Sequence, residues 1–386
     1  MKNIILNDGS YDKIDKKELN NNFHSTNLTL SQFKEFYDYS VKDLPFTRIE
    51  LDNLPKLPYR ELNINETRST RHIGQRKLLL SEIEFISLMY KKYDLKDKKK
   101  VILLYVGSAP GYHIPILVKL FPNLYFHLYD PEPYAIKEEP EAKASAKSSL
   151  CEDEHRKHIK IFNEYFINKT VDKYYNKSLK KPLLFVSDIR DPFYDTSRTD
   201  QLQNDMRLQQ EWVLGIKPLG AMFKFRLLFN DDITKYLYGN SYLPVWGPLT
   251  TTETRLICNK DDTNNWTKFK DYSNKDHEQR MFYFNNCYRM NLFDHNVNNV
   301  PGICHCFDCT SEVVIMTLYM QVMNPDVKIT NNLIGDLMNE NTVICKKTLY
   351  DANPNIEERL KNMQSRKNKG DLYNDKEAYE KYKKEN

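Results

Sequence analysis

The sequence predicts an α/β domain built on an open, doubly wound, mostly parallel sheet, and three observations carry that expectation. Val101-Ile102-Leu103-Leu104-Tyr105-Val106 is an almost wholly apolar run that ends in Gly107-Ser108-Ala109-Pro110-Gly111. A strand without polar alternation is buried on both faces, as in a parallel sheet. The glycine-bearing turn leads into an apolar helical stretch, Tyr112 to Leu120, and then into a second strand, Tyr125 to Tyr129, closed by Asp130. Strand and helix patterns go on alternating as far as Cys258, the order that lays helices over both faces of an open sheet.

In chain order, residues 1–50 are polar and rich in Asn and Lys, an extension with one short helix expected within Leu30 to Tyr39. From Gln75 to Tyr90 the apolar positions Leu78, Leu79, Ile83, Ile86, Leu88 and Met89 recur at helical spacing. Lys98-Lys99-Lys100 then precede the first strand. Further strands are expected at Ile159 to Phe162, Pro182 to Ser187, Gly220 to Leu227 and Thr254 to Cys258, with a helix at Thr199 to Leu214. The charged, Ala/Ser-rich stretch 137–158 reads as an insertion into a domain spanning 51–345. Beyond Cys345 apolar periodicity is lost, so 346–386 reads as a charged, solvated tail.

With 386 residues, 40% hydrophobic and 28% charged, the chain falls outside the disordered, collagen-like and coiled-coil classes. It has no run approaching the ~18 apolar residues of a membrane span. Met1-Lys2-Asn3 opens on polar residues with no signal-peptide core, so a soluble protein outside the secretory route is expected. Seven cysteines in a chain of this length do not make a disulfide framework, which fits a reducing compartment. A net charge of +4 is compatible with a local basic groove and does not require one.

Open α/β sheets bind ligands at the carboxyl ends of their strands, where glycine lets the backbone approach. Gly107 to Gly111 sits at that place, and Asp130 can accept hydrogen bonds from two ribose hydroxyls. The loop is not G-x-G-x-x-G. A neutral, proline-containing turn suits an adenosine carrying an amino acid better than a dinucleotide. Four polar residues also interrupt segments that read as buried: Asp188 after Leu183 to Ser187, Lys224 within Met222-Phe223-Lys224-Phe225, Glu253 before Thr254-Arg255-Leu256-Ile257, and Lys77 at a helix start. Each alone reads equally as an edge lysine, a cap or a solvated charge. Four together point to a polar cleft.

The order Lys77, Asp188, Lys224, Glu253 resembles that of FtsJ-like RNA ribose 2′-O-methyltransferases. Local strings are more similar still to the poxvirus cap-specific members, which double as poly(A) polymerase regulatory subunits. These strings are Gly74-Gln75-Arg76-Lys77-Leu78-Leu79-Leu80, Gly107 to Ile114, Ser187-Asp188-Ile189-Arg190 and Thr252-Glu253-Thr254-Arg255-Leu256. The resemblance covers about residues 55–290. It implies a class I S-adenosylmethionine-dependent methyltransferase, Rossmann-like, with a seven-stranded, mostly parallel sheet and helices on both faces. It implies Lys224 as the base, Asp188 as its orienter, and Lys77 and Glu253 as aligning partners. Gln75, Gly107, Ser108, Ala109, Pro110, Gly111, His113 and Asp130 are implied for the cofactor. Where the family has a basic residue after the acid, this chain continues Asp130-Pro131-Glu132-Pro133.

By the same resemblance a methylated cap would be held between aromatic rings with carboxylates at its edge, by Tyr59, Phe229, Asp231 and Glu278. The family's aromatic before the tetrad glutamate is Thr250 here, with Trp246 as stand-in. Arg71, Arg190, Arg226 and Arg255 are the candidates for RNA phosphates. The implied partners are capped mRNA and a viral poly(A) polymerase catalytic subunit, without a membrane, at a cytoplasmic replication site or in the virion. A processivity subunit without catalysis and methylation of ribosomal or transfer RNA stay open. Apart from this scheme stands Cys304-His305-Cys306-Phe307-Asp308-Cys309, with Cys287 and His295 upstream. It reads either as a structural zinc site or as reduced buried thiols, and no second C-x-x-C pair lies at ordinary finger spacing. The chemistry itself calls for no metal.

Overall fold

The computed structural model describes residues 48, 50–59, 74–136, 158–189, 198–248, 251–286, 288–290, 293 and 295–345. The helix expected within 30–39, nearly all of the 137–158 insertion and the 346–386 tail lie outside them.

Seven strands form one sheet: β1 (Val101–Val106), β2 (Leu124–Tyr129), β3 (Ile159–Phe162), β4 (Leu183–Ser187), β5 (Gly220–Phe225), β7 (Asn240–Tyr242) and β8 (Thr254–Asn259), in the order β3-β2-β1-β4-β5-β8-β7. β6 (Ile233–Leu237) and β9 (Phe269–Ser273) pair as a separate antiparallel ribbon. Every neighbour from β3 through β5 is parallel, whereas β8 runs antiparallel to both β5 and β7. The sequence order reverses between β1 and β4, the switch point at which open sheets bind ligands.

The period-2 alternation of β1 divides the core. Leu103 and Tyr105 pack against α1 (Gly74–Tyr93), α2 (Ile114–Leu120), α5 (Asn274–Asn286), α6 (Phe307–Met323) and α7 (Asn331–Cys345). Ile102, Leu104 and Val106 pack on the other side, against α3 (Asn168–Ser178) and α4 (Arg198–Ile216). The helices and strands expected within the described residues are present, most with ends displaced by a few residues. α3, α5, α6, α7, β7 and the β6–β9 ribbon were not expected. α6 buries Cys309, Thr310, Ser311 and Glu312 in succession, so it lacks the polar stripe that makes a helix legible. In α3 only Tyr174 is buried, so its apolar stripe is narrow.

Two buried imidazoles make stability pH-dependent. Burial, reinforced by Lys177, Lys160, Lys100 and Lys173, pushes His127 down to about 3. Burial pushes His277 down to about 4, against a hydrogen bond to the Thr252 carbonyl. Unfolded imidazoles titrate near ~6.5, so below that pH the unfolded chain binds protons that the folded one refuses. The contribution is present above pH ~6.5 and is lost as pH falls towards 4 and then 3. Urea midpoints should therefore fall between pH 7.5 and pH 5, and His127→Gln should shallow that dependence. Equal midpoints would contradict the burial of both rings.

Candidate active site

The loop after β1 is shaped by two glycines. Gly107 has φ +80°, and a Cβ there would lie 2.8 Å from the Asp188 carbonyl carbon, so β1 and β4 can end side by side only with glycine at this position. Gly111, at φ +73°, turns the chain towards α2. Between them the Ala109–Pro110 bond is cis. The Ala109 and Glu132 amides donate to the two carboxylate oxygens of Asp130, each at 2.9 Å, which fixes the acid at the end of β2.

A cleft of about 770 Å³ opens here, lined by Gly107, Ala109, Pro110, Asp130, Glu132 and Asp188, with Tyr165, Phe166, Leu208 and Trp212 as apolar wall. That volume lies in the usual range for small-molecule sites, roughly 300–1,000 Å³. Glycine-lined backbone, a fixed carboxylate and an aromatic wall fit an adenosine bearing an amino acid. Ser108, Gly111, Gln75 and His113, also expected at the cofactor, are not among the residues that line the cleft. Ser108 Oγ pairs with Tyr134 Oη at 2.6 Å. The buried His113 ring is shared between Gln75 Oε1 at 3.1 Å and Glu82 Oε1 at 3.0 Å, and Tyr105 Oη donates to that same Glu82 oxygen at 2.7 Å. These groups tie the loop to α1.

Lys77, Asp188, Lys224 and Glu253 come together beside the cleft. Alternation in β5 turns Lys224 to the α1 side, where its Nζ lies 3.2 Å from Asp188 Oδ1. Lys77, from the first turn of α1, donates to Glu253 Oε1 at 2.8 Å. A fifth charge joins them. Arg255 is the register partner of Lys224 across β5 and β8, and its buried guanidinium lies 2.8 Å from Asp188 Oδ1 and 3.3 Å from Glu253 Oε1. Expected as a phosphate contact, Arg255 instead bridges the two carboxylates. Its signal was available: an arginine within Thr254-Arg255-Leu256-Ile257, a strand that reads as buried, needs acids close by.

Three cations therefore face two carboxylates. Burial, and next to it Arg255, lowers Lys77 below the ordinary lysine value, against the pull of Glu253 and Asp188. Burial raises both carboxyls, but Arg255 with Lys77 and Lys224 outweighs it and holds Asp188 and Glu253 below the usual range. Both acids are ionised near neutral pH.

Three of the expected cap residues, Tyr59, Asp231 and Glu278, lie on or against α5, and Phe229 follows β5. Glu278 and Phe282 stand one turn apart on α5, and the exposed Tyr59 meets Phe282 edge to face at 5.3 Å between centroids. Asp231 pairs with Lys275 of the same helix at 3.2 Å. Burial and the nearby Asp231 raise the Glu278 carboxyl, with Lys275 opposing. Phe229 is exposed, and the Arg226 guanidinium lies over its ring at 5.0 Å. Arg226 thus stacks a planar cation where phosphate binding was expected of it. Trp246 is no cap ring, being 3% exposed with its indole N–H donated to Glu312. Arg71, Arg190 and Thr250 lie outside the described residues.

A seven-stranded sheet in the order β3-β2-β1-β4-β5-β8-β7, with only β8 reversed and the cleft at its switch point, is the class I methyltransferase fold. Within that class the chain belongs to the poly A polymerase regulatory subunit family, whose model matches residues 49–340. It is similar to the cap-specific mRNA (nucleoside-2'-O-)-methyltransferase of Fowlpox virus (strain NVSL), 27% identical over 224 residues, 55% of this chain and 66% of that protein. It is similar also to the protein of the same name from Myxoma virus (strain Lausanne), 29% identical over 265 residues, 64% of this chain and 70% of that one. A bluetongue virus VP4 structure, described as a multifunctional RNA-capping production line, aligns at a TM-score of 0.38 with 12% identity, over 65% of this chain and 40% of that one.

Proposed function

We propose that this protein transfers a methyl group from S-adenosylmethionine to the ribose 2′-hydroxyl of the first transcribed nucleotide of N7-methylguanosine-capped RNA. The observation that carries this reading is Asp188, which lines the cofactor-sized cleft and at the same time binds Lys224 and Arg255. Bound in the cleft, the cofactor supplies an electrophilic methyl on sulfonium sulfur. The remaining task is to align a weak nucleophile and remove its proton as the oxygen–carbon bond forms and the sulfur–carbon bond breaks. Lys224 Nζ, as the free amine, takes that proton. Asp188 orients Lys224, and Arg255 locks Asp188 and Glu253 at a fixed separation. The excess positive charge steadies the negative charge growing on the ribose oxygen.

Phe229 and Tyr59 are the rings proposed to sandwich the cap, with Asp231 and Glu278 for its edge donors; the Arg226 guanidinium on Phe229 occupies the place a flat methylguanine cation would take. The test measures labelled methyl transfer to short RNAs with an N7-methylated cap, an unmethylated cap or none. Cap-dependent labelling of the first ribose is expected. Phe229→Ala should raise KM for capped RNA by roughly 30-fold, the value of a desolvated cation–π contact of about 2 kcal/mol. Labelling indifferent to the cap would move the substrate to another RNA. The family's description supports a second role as regulatory subunit of a viral poly(A) polymerase. Retained cofactor binding with no transfer to any RNA would leave that role alone, and co-purification with the polymerase catalytic subunit would test it.

A further inference from the structure

The cysteine cluster stands apart from the methyl-transfer machinery. Cys304, Cys306 and Cys309 are all buried, and their sulfur atoms lie within 4.8 Å of one another. Cys304 Sγ and Cys309 Sγ are 3.7 Å apart, too far for a disulfide. A tetrahedral ion with zinc–sulfur bonds of about 2.3 Å sets its ligands about 3.8 Å apart. The backbone turns the thiols inward: Cys306 caps α6, Cys309 lies in its first turn, and the Cys304 amide points at Cys309 Sγ at 3.4 Å. The stacked His295 and His305 rings, 4.4 Å apart, hold the loop by bonding the Cys304 and Phe293 carbonyls.

We infer that Cys304, Cys306 and Cys309 form a structural zinc site that anchors the start of α6. Each thiol releases its proton to solvent as its sulfur binds the ion, and the positive end of the α6 dipole steadies the thiolates. A water completes the tetrahedron. The site has a structural consequence. In the first turn of α6 Asp308 holds Arg289, and a turn further Glu312 holds Arg76 of α1, the neighbour of Lys77. An ion at the start of α6 therefore braces the helix that presents Lys77.

The test uses tag-free, full-length protein made without added metal salts and purified without chelator. Mass spectrometric metal analysis should find about one zinc per chain, released as the thiols are titrated with a mercurial. Cobalt in place of zinc should give the strong visible bands of a tetrahedral site with thiolate charge transfer. Cys304→Ser, Cys306→Ser and Cys309→Ser should each lose the metal, while Cys258→Ser, a buried free thiol on the other face of the sheet, should keep it. Folded wild-type protein without metal would overturn the site, as would a cobalt spectrum without thiolate bands. The two wild-type measurements decide the matter even if a serine variant fails to fold. None of these readouts depends on methyl transfer.

Discussion

Lys224→Ala is expected to lower kcat for methyl transfer by about 10²–10⁴-fold, the usual contribution of a positioned general base. Cofactor binding should persist, because among the described residues the cleft is lined by other groups. The substitution removes the amine that lies 3.2 Å from Asp188 and leaves Asp188 still paired with Arg255, so the site keeps its scaffold. Single-turnover transfer measured beside calorimetric titration of S-adenosylmethionine separates the two effects. Lys77→Ala is the necessary companion. Lys77 is the lysine that burial and Arg255 press towards neutrality, and its nitrogen is held by Glu253. Loss of transfer in Lys77→Ala with a normal rate in Lys224→Ala would exchange their roles.

The second large effect is on stability. Arg76 and Glu312 form a two-pronged ion pair with side chains 0% exposed: Arg76 Nε to Glu312 Oε2 at 2.7 Å and Arg76 Nη2 to Glu312 Oε1 at 2.5 Å. The Trp246 indole N–H completes the carboxylate at 2.9 Å. Removing one partner strands the other charge in the core. Arg76→Met should cost about 3–5 kcal/mol of unfolding free energy, and Arg76→Met with Glu312→Leu should recover much of it, since no charge is then left unpaired. Urea unfolding of the singles and the double gives both numbers. A loss under about 1 kcal/mol in Arg76→Met would mean the pair does not join α1 to α6 as argued.

The central strands were legible because burial on two faces leaves no room for polar alternation, and Val101 to Val106 shows that most plainly, whereas β6, β7 and β9 were not. The four polar interruptions were legible for the same reason: a charge in such a segment has to face something polar. Arg255 was misread because its bridging partners lie 67 positions away at Asp188 and at Glu253, on the same strand's entry. Trp246 was misread because an aromatic in a loop looks available until Glu312, 66 positions on, accepts its N–H. α6 was missed because it is buried nearly all round, and a helix without a wet face carries no period.

The sequence by itself determined the alternating α/β architecture, the glycine turn after β1 and the identities of the charged residues, because each follows from local burial or backbone freedom. Only the tertiary structure decided which charges meet. β8 runs against β5, and that single reversal brings its amino end to the carboxyl edge of the parallel strands. Glu253 and Arg255 thereby stand beside Lys224, and α1, clamped by α6, lowers Lys77 onto the same spot. Strand direction is set by long-range hydrogen bonding and core packing, and neither leaves a periodic mark on the residues of the strand.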